Sequence, residues 1–175
     1  MSFVSELRAA TAADHQAVDD RFGAFTLDDA PAYRRFLTAH GRALPAVEAV
    51  LAGDPDLPAW RPRTAALAAD LAALGKELPA PLPFAVPGAA ARWGALYVIE
   101  GSRLGGQLLA RSVGEGLPVA YLSARHEAGE WRELLARIET RAAASDTAWR
   151  GAAIAGARAT FALYAQAGQI DLPPE

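Results

Sequence analysis

Alanine, leucine and arginine dominate this chain, while the β-branched residues that strands prefer are sparse and scattered. That bias directs the chain to helix rather than sheet, and the apolar spacing agrees. Val4, Leu7, Thr11, His15, Val18 and Phe22 fall at helical intervals on one face, with Glu6, Asp14 and Asp20 elsewhere around the barrel. Gly23 is placed to end that helix. A second helix is predicted from Asp29 or Ala30, with Pro31 in its first turn. Its stripe runs through Tyr33, Phe36, Leu37, His40, Leu44, Val47 and Leu51 to a Gly53-Asp-Pro stop, and Pro45 predicts a kink or a break inside it. A third helix is expected over 63–74, stopping at Gly75.

Residues 79–88 read Pro-Ala-Pro-Leu-Pro-Phe-Ala-Val-Pro-Gly, with four prolines in nine residues. Such a segment cannot be helix and runs extended. The sequence on either side is too short to bury a good core alone, so the segment reads as a crossover inside one domain, not as a linker. Helices over 89–113, 127–143 and 148–167 complete the prediction: a single-domain, all-α bundle of about six helices spanning 1–175.

The chain of 175 residues carries a net charge of -3, which argues against nucleic acid as a partner because phosphate binding needs a basic face. It has no cysteine. Disulfides, thiolate catalysis, iron–sulfur clusters and thiolate-ligated haem or zinc are therefore excluded. No signal peptide or membrane span is visible in the sequence, so a cytoplasmic protein with no membrane partner is expected.

The most informative stretch is 96–111, Leu-Tyr-Val-Ile-Glu-Gly-Ser-Arg-Leu-Gly-Gly-Gln-Leu-Leu-Ala-Arg. Its flanks are helical, yet Gly101, Gly105 and Gly106 lie in its interior. Each interior glycine costs about 1 kcal/mol of helix propensity relative to alanine. Gly101 and Gly105 are four apart and share a face, with Gly94 and Val98 one or two turns earlier. That face is nearly free of side chains. It suits either close packing of another helix, the commoner use, or the approach of something flat. A dinucleotide or phosphate loop fits poorly, because no strand precedes the glycines and no Gly-Lys-Ser/Thr follows.

The chain has three histidines. His15 is expected to point inward with the first stripe, which alone is more often a hydrogen-bonded core position than a ligand. A flat macrocycle, however, needs one axial ligand, for which neutral imidazole suits iron, and an open opposite face. His40 is the second candidate, and His126 is expected in a solvent-exposed turn. No pair has zinc-site spacing. Arg8, two turns before His15, is placed to reach a ligand carboxylate, although a solvated arginine is the plainer reading.

At these residues the chain resembles the haem oxygenase family, specifically the bacterial branch associated with bacteriophytochromes. Leu7-Arg8-x-x-Thr11-x-x-x-His15 resembles the family's proximal helix. Leu96-Tyr-Val-Ile-Glu-Gly-Ser-Arg-Leu-Gly-Gly-Gln107 resembles its distal helix and is the more specific match. A weaker likeness continues through 116–122 and Ala159-Thr-Phe161, so the similarity spans about residues 5–166.

The resemblance implies a helical bundle holding haem b, as substrate and cofactor, between the two helices. His15 would be the iron ligand, Gly101, Ser102 and Gly105 the catalytic positions, and Arg8, Thr11, Tyr97, Val98 and Phe161 further haem contacts. It implies oxidative cleavage to biliverdin, ferrous iron and carbon monoxide with O2 and a reductant such as ferredoxin or ascorbate, and a bacteriophytochrome as acceptor of biliverdin. Animal members have an aspartate where Ser102 stands. A hydroxyl can hold water but lacks the charge, which leaves Ser102, Arg103 and the glycine carbonyls as alternatives for proton delivery. Arg150 and Arg158 are candidates for the second propionate. The rival readings are a haem sensor or carrier of the same fold, and a helical interaction module without haem.

Overall fold

The structure is a computed structural model and describes residues 1–169. Among them the chain forms seven helices and no strand: α1 (Phe3–Phe22), α2 (Ala30–Leu51), α3 (Thr64–Ala73), α4 (Gly88–Ala110), the short α5 (Ala120–Ser123), α6 (Glu130–Ala143) and α7 (Thr147–Gly168).

The helix starts are set by oxygen acceptors at orphan backbone N–H groups. Ser2, Asp29 and Asp146 cap α1, α2 and α7 with their own side chains. Other starts borrow a carboxylate from elsewhere in the chain. Glu139 of α6 accepts from the N–H groups of Phe3 and Val4 at 3.0 and 2.8 Å. Glu48 of α2 accepts from Arg63 and Thr64 at the head of α3, and Asp70 of α3 from Ala120 and Tyr121 in α5.

The break or kink expected at Pro45 is corrected as far as continuity goes, because α2 runs through it as one helix. The buried stripe continues on both sides, through Leu44 and then Val47 and Leu51, so packing holds the helix together. The proline-rich strap covers the weak point. The Leu82 N–H donates to the Arg42 carbonyl at 2.8 Å, and the Pro79 ring lies against Gly41. Leu78, Leu82 and Phe84 of the strap pack on the same core that residues on both sides of it build.

The last helix, α7, is central, with α1, α2 and α4 all packed on it. The α4–α7 crossing is very close. A Cβ on Gly94 would enter the Ala153 carbonyl, and one on Gly156 would enter that of Ala91. Small residues at both positions let the two backbones nearly touch.

Candidate functional site

One half of the site lies on α1. Val4, Leu7, Thr11 and Phe22 are buried as the stripe predicts, and Phe3 is buried beside them. His15 is not: its side chain is 60% exposed, a correction to the inward position expected of it. Phe161 of α7 meets the ring edge-on, with centroids 5.6 Å apart, and Nδ1 lies 3.1 Å from a carboxylate oxygen of Asp19, one turn on. A helical period identifies the face that turns toward the protein, but a side chain on that face is buried only where another element lies over it.

Thr11 is buried, and its hydroxyl donates to the Leu7 carbonyl at 2.8 Å, so it serves the helix. Arg8 is exposed and makes no ion pair among the described residues. The candidates for a second anion contact, Arg150 and Arg158, face acids of α1. Arg158 donates to the Ala10 carbonyl at 2.8 Å and lies 3.5 Å from Asp14, while Arg150 sits 3.7 Å from Glu6 and over the Phe3 ring.

The other half lies on α4, where the glycines divide between the two readings of the bare face. Gly94 packs against α7, and Gly106 faces the Leu122 carbonyl. A Cβ on Gly101 would come 3.2 Å from the indole edge of Trp131. Only at Gly105 of these four does an added Cβ find nothing within 4 Å. Around Gly105, Leu104, Leu108 and Leu109 are 44, 63 and 39% exposed. A stripe of exposed leucines beside a bare glycine gains about 25 cal/mol per Å² when a flat apolar body covers it. Val98 is buried in the core. Tyr97 is half-buried, with its ring centroid 5.8 Å from that of Trp131.

Behind the α4 face is a polar chain that sequence reasoning missed. The Ser102 hydroxyl donates to the Ile99 carbonyl at 2.6 Å and accepts from Arg63 at 2.7 Å. Arg63 is buried; its guanidinium also donates to the Ile99 carbonyl and lies 5.3 Å over the Tyr121 ring. The Tyr121 hydroxyl meets Nδ1 of His40 at 2.7 Å. His40 is half-buried, with the rings of Phe22, Phe36 and Tyr164 around it. Burial, with Arg63 adding repulsion, lowers its pKa to about 3. Burial raises that of Tyr121, so both stay neutral. Nothing in the sequence singles out Arg63, which reads as an ordinary helix-start arginine.

Two further residues are enclosed. Arg103 is buried, its Nε 3.0 Å from both oxygens of Glu100 and its guanidinium donating to the Arg61 carbonyl. His126, expected in solvent, is 8% exposed, bonded to Glu100 at 3.1 Å and stacked on Trp131; burial pushes its pKa down. Among the described residues no group of His, Cys, Asp and Glu is arranged to hold a bare metal ion.

No protein-family model matches the chain. The bundle is similar to the crystal structure of the NO- and CO-bound haem oxygenase from Neisseria meningitidis, with a TM-score of 0.78 and 24% identity over 97% of this chain and 91% of that one. The architecture is therefore that of a haem-oxygenase-type α bundle. The chain is also 38% identical over 151 residues to a haem oxygenase of Xanthomonas campestris pv. campestris (strain 8004), a match covering 78% of this chain and 88% of that protein. The chain belongs to the haem oxygenase family.

Proposed function

We propose that this chain binds haem between α1 and α4 and cleaves it oxidatively to biliverdin, ferrous iron and carbon monoxide. The supporting observation is a pair of open surfaces flanking α7: an exposed imidazole on α1, and the bare, leucine-lined face around Gly105 on α4. They are the two surfaces a flat iron macrocycle requires, one to ligate and one to approach closely.

Bound haem supplies the iron at which dioxygen is activated and is itself the substrate attacked. The protein's part is to bind, orient and deliver protons. Asp19 accepts a hydrogen bond from Nδ1–H of His15, which leaves the Nε2 lone pair free for iron; Phe161 sets the plane of the ring. Arg8, exposed and without an ion pair among the described residues, suits a propionate carboxylate. With its proton committed to Ile99 and one lone pair to Arg63, the Ser102 hydroxyl has a single acceptor position left. In that state it orders a water rather than protonating anything itself. Arg63 is the buried charge that holds it there.

The reaction needs external electrons, from a ferredoxin or from ascorbate in vitro, which fits a cytoplasmic enzyme. The likeness of 96–107 to the bacteriophytochrome-associated branch supports a phytochrome as acceptor of the product. Among the described residues no helix is long and apolar enough to cross a membrane.

The test is an absorption time course of haem-loaded protein in air with ascorbate or a ferredoxin system. Loss of the Soret band with growth of a broad red biliverdin band is expected. A stable Soret band that shifts only on reduction and with carbon monoxide would overturn catalysis in favour of a haem carrier.

A further inference from the structure

The α4–α6 junction assigns a task to Trp131. Its indole is held between two rings, Tyr97 of α4 at 5.8 Å and His126 of the α5–α6 loop at 5.6 Å. Polar contacts secure both sides of it. His126 Nε2 is 3.1 Å from Glu100, and Glu100 is tied to Arg103 at 3.0 Å. Arg103 in turn reaches the carbonyls of Arg61 and Ala124. Arg61 pairs with Glu130 beside Trp131, and Glu130 also accepts from the Glu127 N–H at 2.6 Å. The indole therefore has little freedom, and its outer edge points at one place on α4, the side-chain position of Gly101.

Gly101 and Gly105 share a helix face, yet the space beside each is different. The space at Gly105 is open, and the space at Gly101 belongs to the indole. We propose that Trp131 is a positioning residue of the haem site: its edge holds α4 at Gly101 and so sets the height at which Leu104, Gly105 and Leu108 meet the substrate. Gly101 is a glycine on account of the tryptophan, and Gly105 on account of the ligand. This rests on the haem reading above. A small change in the height or tilt of α4 would change which edge of the macrocycle lies nearest the bound gas, because the helix face there has no side chain of its own to compensate.

The experiment compares wild type, Trp131→Ala and Trp131→Phe as full-length, haem-loaded proteins, by the infrared stretch of the ferrous carbon monoxide complex and by chromatography of the biliverdin isomers formed. Trp131→Ala is expected to shift or broaden the carbon monoxide band and to turn one dominant isomer into a mixture. Trp131→Phe keeps a ring between Tyr97 and His126 but withdraws the outer edge, so an intermediate band is expected. An unchanged band and isomer ratio in Trp131→Ala overturns the proposal, even if thermal stability falls, because only a structural role would then remain. If Trp131→Ala does not fold, an unchanged band in Trp131→Phe overturns it equally.

A double-mutant cycle on the apo-protein examines the contact itself. Gly101→Ala should be more favourable in the Trp131→Ala background by at least about three-fold in the unfolding constant, and additivity overturns the contact. Failure of the haem reading looks different. Wild type would then bind no haem, or His15→Ala would leave the haem spectrum unchanged, and Trp131 would have nothing to position.

Discussion

The imidazoles of His15 and His40 occupy the same kind of sequence position, one member of an apolar helical stripe, and opposite surroundings in the fold. His40 is half-buried among the rings of Phe22, Phe36 and Tyr164, with a hydroxyl at Nδ1. His15 has one ring beside it and a carboxylate on Nδ1, and is otherwise open. Of the two imidazoles, His15 is the more open. His15→Ala should abolish normal haem ligation, seen as loss of the characteristic Soret band on titration. Asp19→Ala removes the group that fixes the tautomer, and haem affinity should fall about ten-fold or more while the apo-protein melts as before. Ser102 and Arg63 make the same point: the hydroxyl was legible in the motif, but its tether to a buried arginine 39 positions away was not.

At the scale of the element, α4 shows one helix using glycine for different purposes. Gly94 has the Ala153 backbone against it, so Gly94→Ala should cost about 3 kcal/mol by overpacking, because a backbone atom cannot move aside as a side chain can. Gly105→Ala should do the reverse. With no neighbour in the way, the alanine gains about 0.5–1 kcal/mol of apo stability from helix propensity. The added methyl then stands where the ligand approaches, and haem affinity should fall. Chemical denaturation of the apo-protein and haem titration, run side by side on the two variants, check the opposed outcomes.

For the molecule as a whole, the buried polar chain links α2, α3, α4 and α5 through His40, Arg63, Ser102 and Tyr121. Its charge state makes global stability depend on pH. Unfolded His40 takes up a proton near its ordinary pKa of 6.5, whereas the folded residue does so only near 3. The unfolded state therefore binds more protons between those values, and stability falls as pH drops through that window, by up to about 1.4 kcal/mol per pH unit. Above pH 7 the residue contributes no slope. Urea denaturation of wild type and His40→Gln from pH 7 to 4 should show the slope in the first and a flatter line in the second.

Sequence alone determined the helical class, the positions of the long helices and the proline strap, and it singled out the two segments of the candidate site. Periodicity, capping residues and helix breakers are local, and each of these features is local too. The helix face that turns inward is also a local property, which is why Val4, Leu7, Phe36 and Leu44 are buried as expected. Which element lies against that face is not local. That difference left His15 open, enclosed His126, set an indole against Gly101 and open space beside Gly105, and brought Arg63 to Ser102. Burial, unsatisfied lone pairs and free space are properties of pairs of elements, and only the tertiary structure brings the pairs together.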